Sequence, residues 1–125
     1  MQYLSVKHNL AIFAALLLMA ISPVSMAHAK LQKSVPAANA ELKESPKNIR
    51  IDFNEKLEPA FSAISLSSVE GRKIATEKAV VDASDSKVMT LALPVLKSGQ
   101  YQVNWNAVTV DGHRVRSSYK FSIAK

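Results

Sequence analysis

Cysteine is absent from this chain, which excludes a disulfide framework, CxxC redox chemistry and any metal centre built on a thiolate, the electron-transfer copper type included. Methionine is scarce where it would matter. Of the four methionines, Met1, Met19 and Met26 lie in a leader-like N-terminus and Met89 alone remains in the body, so soft thioether ligation has little to draw on. No run of Lys and Arg forms a nucleic-acid patch: the formal charge of +6 is scattered along the chain and reads as a solvated basic surface or as attraction to an acidic partner or an anionic membrane face. No apolar run reaches the about 20 residues of a spanning helix. The chain also lacks a linker, an internal repeat and a low-complexity tract.

The longest apolar run, residues 10–21, is followed by Ser22 and Pro23 and preceded by a short polar stretch carrying Lys7. This is the n-region and h-region of a secretory signal. The small-residue rule for cleavage is met twice, by Ser25-Met26-Ala27 before His28 and by Ala27-His28-Ala29 before Lys30. The first cut assigns 1–27 to the signal peptide and 28–125 to the exported chain, enough for one domain and too little for two. It also makes His28 the first residue. The amine and ring Nδ1 of an N-terminal histidine close a six-membered chelate around a cation. The second cut discards that chelate.

In the body, Ile49, Ile51 and Phe53 alternate with Arg50 and Asp52, and Tyr101, Val103 and Trp105 with Gln102 and Asn104. Val115, Tyr119, Phe121 and Ile123 continue the period-2 theme of strands with one buried face. Residues 31–35, 61–67 and 88–93 supply further short apolar segments, with a less regular one at 74–81. Turn signals fall at 36–39, 45–48, Glu70-Gly71, 82–85, 97–99 and Asp111-Gly112. Six or seven strands at this spacing predict an all-β antiparallel sandwich or small barrel, with one helical turn at 37–43. Trp105, Tyr101, Phe53, Phe61 and Phe121 read as core, and Trp105 also as the wall of a site near Asp111.

Asp111-Gly112-His113 lies between two of these strands, so Asp-Gly is first a hairpin turn signal. Residues i and i+2 of an extended segment point to one side, which lets Asp111 and His113 converge on one ion where the backbone is still strand-like. Joined by an N-terminal His28, the donors are an amine, two imidazoles and a carboxylate. That set suits tetragonal Cu(II), with nickel and zinc as contenders. Binding must displace a proton from an amine whose free pKa is about 8, so affinity should fall in acid.

The chain resembles the bacterial periplasmic copper-resistance proteins of the CopC and PcoC type. The likeness rests on His28-Ala29-Lys30-Leu31, SVPAAN from Ser34, IDFNE from Ile51, Phe61-Ser62, SGQYQVNW from Ser98, Val110-Asp111-Gly112-His113 and Tyr119-Lys120-Phe121, spread over the whole chain after the signal. It implies a seven-stranded Greek-key sandwich or barrel of the immunoglobulin or cupredoxin-like kind, a periplasmic protein without catalytic activity, and one Cu(II) per chain. His28, Asp111 and His113 occupy the metal-ligand positions of that family, and Glu55 falls where the family often has a glutamate beside the Cu(II) site. Members that also bind Cu(I) carry a methionine-rich loop where this chain reads SVEGRKI from Ser68, so a single Cu(II) site is expected. The implied role is a monomeric copper buffer or metallochaperone that serves an inner-membrane copper transporter. A metal-independent immunoglobulin-like interaction module and a small copper-dependent oxidase are the alternatives from other classes.

Overall fold

The protein is described by a computed structural model over residues 29–125; the reading of 1–27 as a signal and of His28 as a ligand lies outside the described residues. Eight strands follow in order: β1 Leu31–Val35, β2 Glu41–Leu42, β3 Asn48–Phe53, β4 Ala63–Ser68, β5 Val80–Val81, β6 Val88–Ala92, β7 Gly99–Val108 and β8 Arg114–Ile123, with a 3-10 turn at Pro59–Phe61. They form two four-stranded sheets, β1-β3-β6-β5 and β2-β8-β7-β4. The pairings β3 with β6 and β4 with β7 join strands from different hairpins, giving the expected Greek-key sandwich.

The alternation read from sequence becomes the core. Ile49 and Ile51 are 0 % exposed and Phe53 1 %, and these face Leu66, Val103, Trp105 and Phe121 from the second sheet. Phe53 meets Trp105 edge-on with centroids 5.1 Å apart, and Tyr101 stacks on Phe121 at 5.6 Å. Burying side chains of this size contributes about 1.5–3 kcal/mol each.

Three local expectations differ from the structure. Residues 37–43 form no helical turn. They pair with β8 instead: Asn39 N donates to Lys120 O, and Ala40 O and Leu42 O accept from Ser122 and Ala124. A single helical turn could not satisfy those β8 donors, and the resulting β2–β8 pairing is parallel. That adds the eighth strand to the seven expected. Phe61 is 60 % exposed because the 3-10 turn ends there and removes it from the period of β4. Residues 74–79 stay irregular before the two-residue β5. Along β8 the expected alternation holds: Val115 and Tyr119 are half-buried against the core and Phe121 and Ile123 are buried in it.

The strands share one polarity of ends. Thr109, directly after β7, bridges to Leu57, so the connections 54–62, 82–87 and 109–113 gather at one end of the sandwich. The connections 43–47, 69–73 and 93–98 and the C-terminus gather at the other. Among the described residues no helix is long and apolar enough to cross a membrane.

Candidate metal centre

The β7–β8 hairpin pairs without interruption from Gly99 with Ile123 to Val108 with Arg114 and closes through residues 109–113. Gly112 sits at φ +91°, a conformation that glycine adopts without the cost a Cβ would add. Gly112 N donates to Thr109 O at 2.8 Å and Thr109 N to His113 O at 2.9 Å. The backbone at Asp111 is therefore a turn and not the strand that the i, i+2 argument required. Asp111 and His113 meet all the same, because the turn folds one side chain back on the other.

Asp111 is the hub of the turn. Its Oδ2 lies 2.9 Å from His113 Nδ1, with the two side chains about half exposed. Its Oδ1 accepts a short hydrogen bond from the Thr109 hydroxyl and one from His113 N at 3.3 Å. These donors, Thr109 first and the His113 ring next, hold the Asp111 carboxyl down at about 2, so it is ionised throughout the physiological range. The turn presents a fixed carboxylate and an oriented imidazole at the surface.

Thr109 was not legible as a site residue. It is 2 % exposed, and its hydroxyl also lies 3.3 Å from His113 O, so one side chain fixes both metal-ligand candidates. The available signal was the spacing Thr-x-Asp-x-His, in which a hydroxyl two residues before a carboxylate closes a local turn.

Glu55 lies in the 54–57 segment, half-buried, beside the turn in the fold: Lys56 O accepts from Val110 N at 3.1 Å and Val108 O from Glu58 N at 2.7 Å. Among the described residues no group of three or more His, Cys, Asp or Glu is arranged to hold a metal, so Glu55 does not complete a site with Asp111 and His113. Trp105 packs in the core against Phe53.

The start of the described chain is tied to the same end. Lys30 N donates to Asn54 Oδ1 at 2.6 Å, and Asn54 N returns a bond to Lys30 O at 3.1 Å. Ala29 is 2 % exposed and belongs to the core cluster. A carboxylate and an imidazole supply two donors suited to a borderline divalent ion; a closed site needs further donors.

Comparison with known proteins places the whole sandwich. A CopC domain family model matches residues 31–124. The copper transport protein CutJ of Bacillus subtilis is 36 % identical over 91 % of this chain, which spans only 21 % of that relative's length. Protein YobA of Escherichia coli K12 is 35 % identical, with 95 % of this chain and 94 % of YobA covered. The crystal structure of CopC from Methylosinus trichosporium OB3b superposes with a TM-score of 0.74 at 32 % identity, covering 78 % of this chain and 94 % of that one.

Proposed function

The chain belongs to the CopC family, and on that premise we propose that it is an exported periplasmic Cu(II) carrier, a buffer and metallochaperone without catalytic activity. The copper is cargo, one ion per monomer. The donors are the amine and ring of His28, the Asp111 carboxylate and the His113 imidazole, with the signal removed after Ala27. Glu55 stands beside the site and steadies it without ligating. The acceptor is an inner-membrane copper transporter.

The observation that carries this reading is the Asp111–His113 contact at 2.9 Å, held by Thr109 before any metal arrives. A carboxylate on a histidine ring fixes its tautomer and orientation, the arrangement that metal sites use repeatedly. Ligation through Nε2 leaves that contact intact; ligation through Nδ1 replaces it. The carboxylate and imidazole also favour Cu(II) over Cu(I), in keeping with a body whose one methionine is Met89. A surface turn suits a carrier, since an acceptor can reach its ligands and exchange them.

Burial of Ala29 supports the choice of cleavage site. Cutting after Ala29 would remove a residue that packs in the core along with the His28 chelate, whereas cutting after Ala27 keeps both. The similarity to CutJ, a copper transport protein, agrees with this assignment.

The test is a competition titration of the exported protein with Cu(II) against a chelator of known affinity. His113→Ala and an acetylated N-terminus should each weaken binding by about a hundredfold or more. Asp111→Ala should weaken it by a smaller factor. Unchanged affinity in His113→Ala and in the acetylated protein would overturn the assignment.

A further inference from the structure

The end of the sandwich opposite the turn carries a second feature that copper binding does not use. Its connections, 43–47, 69–73 and 93–98, and the C-terminus hold Lys43, Lys47, Arg72, Lys73, Lys97 and Lys125, all exposed, against Glu44, Glu70 and the terminal carboxylate. These cations are far apart in sequence. The fold collects them through bonds that knit the connections together: Leu93 N to Lys47 O at 2.9 Å and Val69 N to Gln100 O at 3.1 Å, Leu96 N to Ser45 Oγ at 2.8 Å and Ser98 Oγ to Ala124 O at 3.0 Å.

Amid the cations stand apolar side chains open to solvent. Val95 is 92 % exposed and Val69 36 %, and Pro94 beside Val95 is exposed as well. The 93–98 loop is braced from beneath, since the Tyr101 hydroxyl donates to Lys97 O at 2.6 Å while its ring stacks on Phe121. A cleft of about 370 Å³ lies between this loop and the 68–72 turn, lined by Arg72, Val95 and Lys97 among others. Exposed valines on firm loops, ringed by cations, match the chemistry of a bilayer interface: apolar tips enter the headgroup layer and cations meet lipid phosphates.

We propose that this basic end is a docking face for a bilayer containing anionic phospholipid, with Val95 and Val69 at the contact. Charge complementarity selects the occupant, because the opposite end carries Glu55, Glu58, Asp82, Asp85 and Asp111 against Lys30, Lys56, Lys87 and Arg114 and has no excess of cations to offer the same surface. Strand β7 has 10 residues and so spans roughly 33 Å, several Debye lengths at physiological salt. Docking therefore leaves the Asp111–His113 turn in the aqueous phase, facing away from the membrane. The inference stands whether or not the turn binds copper.

Co-sedimentation of the mature protein with vesicles of equal parts phosphatidylglycerol and phosphatidylcholine, beside vesicles of phosphatidylcholine alone, tests it. Binding is expected to the anionic vesicles alone, lost between about 0.01 M and about 1 M salt. Lys47→Glu with Lys97→Glu should weaken binding about tenfold or more, while Lys56→Glu with Lys87→Glu, the same change in net charge at the other end, should not weaken it. Val95→Asp should also weaken it, with circular dichroism and thermal unfolding confirming that each variant is folded. Equal loss from both lysine pairs, equal binding to phosphatidylcholine, absence of binding at low salt, or stronger retention by soluble polyglutamate than by vesicles would overturn the proposal, the last in favour of an acidic polypeptide partner.

Discussion

The two ends of this sandwich are made from the same material, short connections between strands, yet they use their charged side chains in opposite ways. At the end that carries the turn, carboxylates are built into the backbone. Asp82 Oδ1 accepts from Ser84 N at 2.8 Å, Ser84 Oγ at 2.7 Å and Asp85 N at 3.1 Å, and Asp111 does the same work for residues 109–113. Each carboxyl is held below its usual range by those donors, the Ser84 hydroxyl first for Asp82 and the Thr109 hydroxyl first for Asp111. At the basic end Glu70 is held in the same way, by its own backbone N–H and the Ser68 hydroxyl, but otherwise backbone amides, serine hydroxyls and the Tyr101 hydroxyl tie the loops, and the cationic side chains stand outside that framework. One end therefore has a charge fixed in position and the other a charge that is merely concentrated. Fixed charge suits coordination of a small ion; concentrated charge suits a broad, deformable partner.

Substitutions at each end and in the shared core should separate the two behaviours. The largest effect is expected where the ends share a core: Phe53→Ala removes a side chain 1 % exposed and in contact with Trp105, and should cost about 3–5 kcal/mol in denaturant unfolding, loosening both ends together. Thr109→Val acts at one end only. It removes the first donor to Asp111, and should weaken Cu(II) binding about tenfold, with the Asp111 carboxyl rising toward its ordinary range when followed by NMR titration. Vesicle binding should not change.

Acidification separates the donors. The Asp111 pKa is depressed to about 2, so its contribution is fully present above the ordinary carboxylate value and disappears only as the pH falls through about 2. Copper should already be lost well above that pH, as the nitrogen donors take up protons. Copper retained until pH 2–3 would show that the carboxylate, and not the nitrogens, governs release. A smaller effect is expected from Gly112→Ala. An added Cβ meets no atom within 4 Å, so only the backbone cost at φ +91° remains, about 1 kcal/mol in unfolding. Lys97→Ser should change stability by less than about 0.5 kcal/mol, since its charge holds no loop in place.

Much of this was legible in the sequence because it is local. Ile49, Ile51 and Phe53 announce a buried face by period alone, and Asp111-Gly112 announces a hairpin through glycine's access to positive φ. What escaped depends on contacts distant in sequence or on side chains that act through others. The pairing of residues 39–42 with β8 satisfies donors some 80 residues away, which no local pattern encodes. Phe61 has the right chemistry for a core residue, but the turn that carries it breaks the strand period. Thr109 works through a hydrogen bond to a neighbour's carboxylate, and the cations of the basic end form a cluster only after folding. The pair Asp111 and His113 was found by an argument about strand geometry; a turn brings them together instead.

The most direct measurement of the central claim is native mass spectrometry of the protein exported through its own signal, with and without one equivalent of Cu(II). A mass that begins at His28 and gains a single copper is expected, the copper retained in the wild type and lost in His113→Ala. A mass that begins at Lys30, or a protein beginning at His28 that retains no copper, would contradict it.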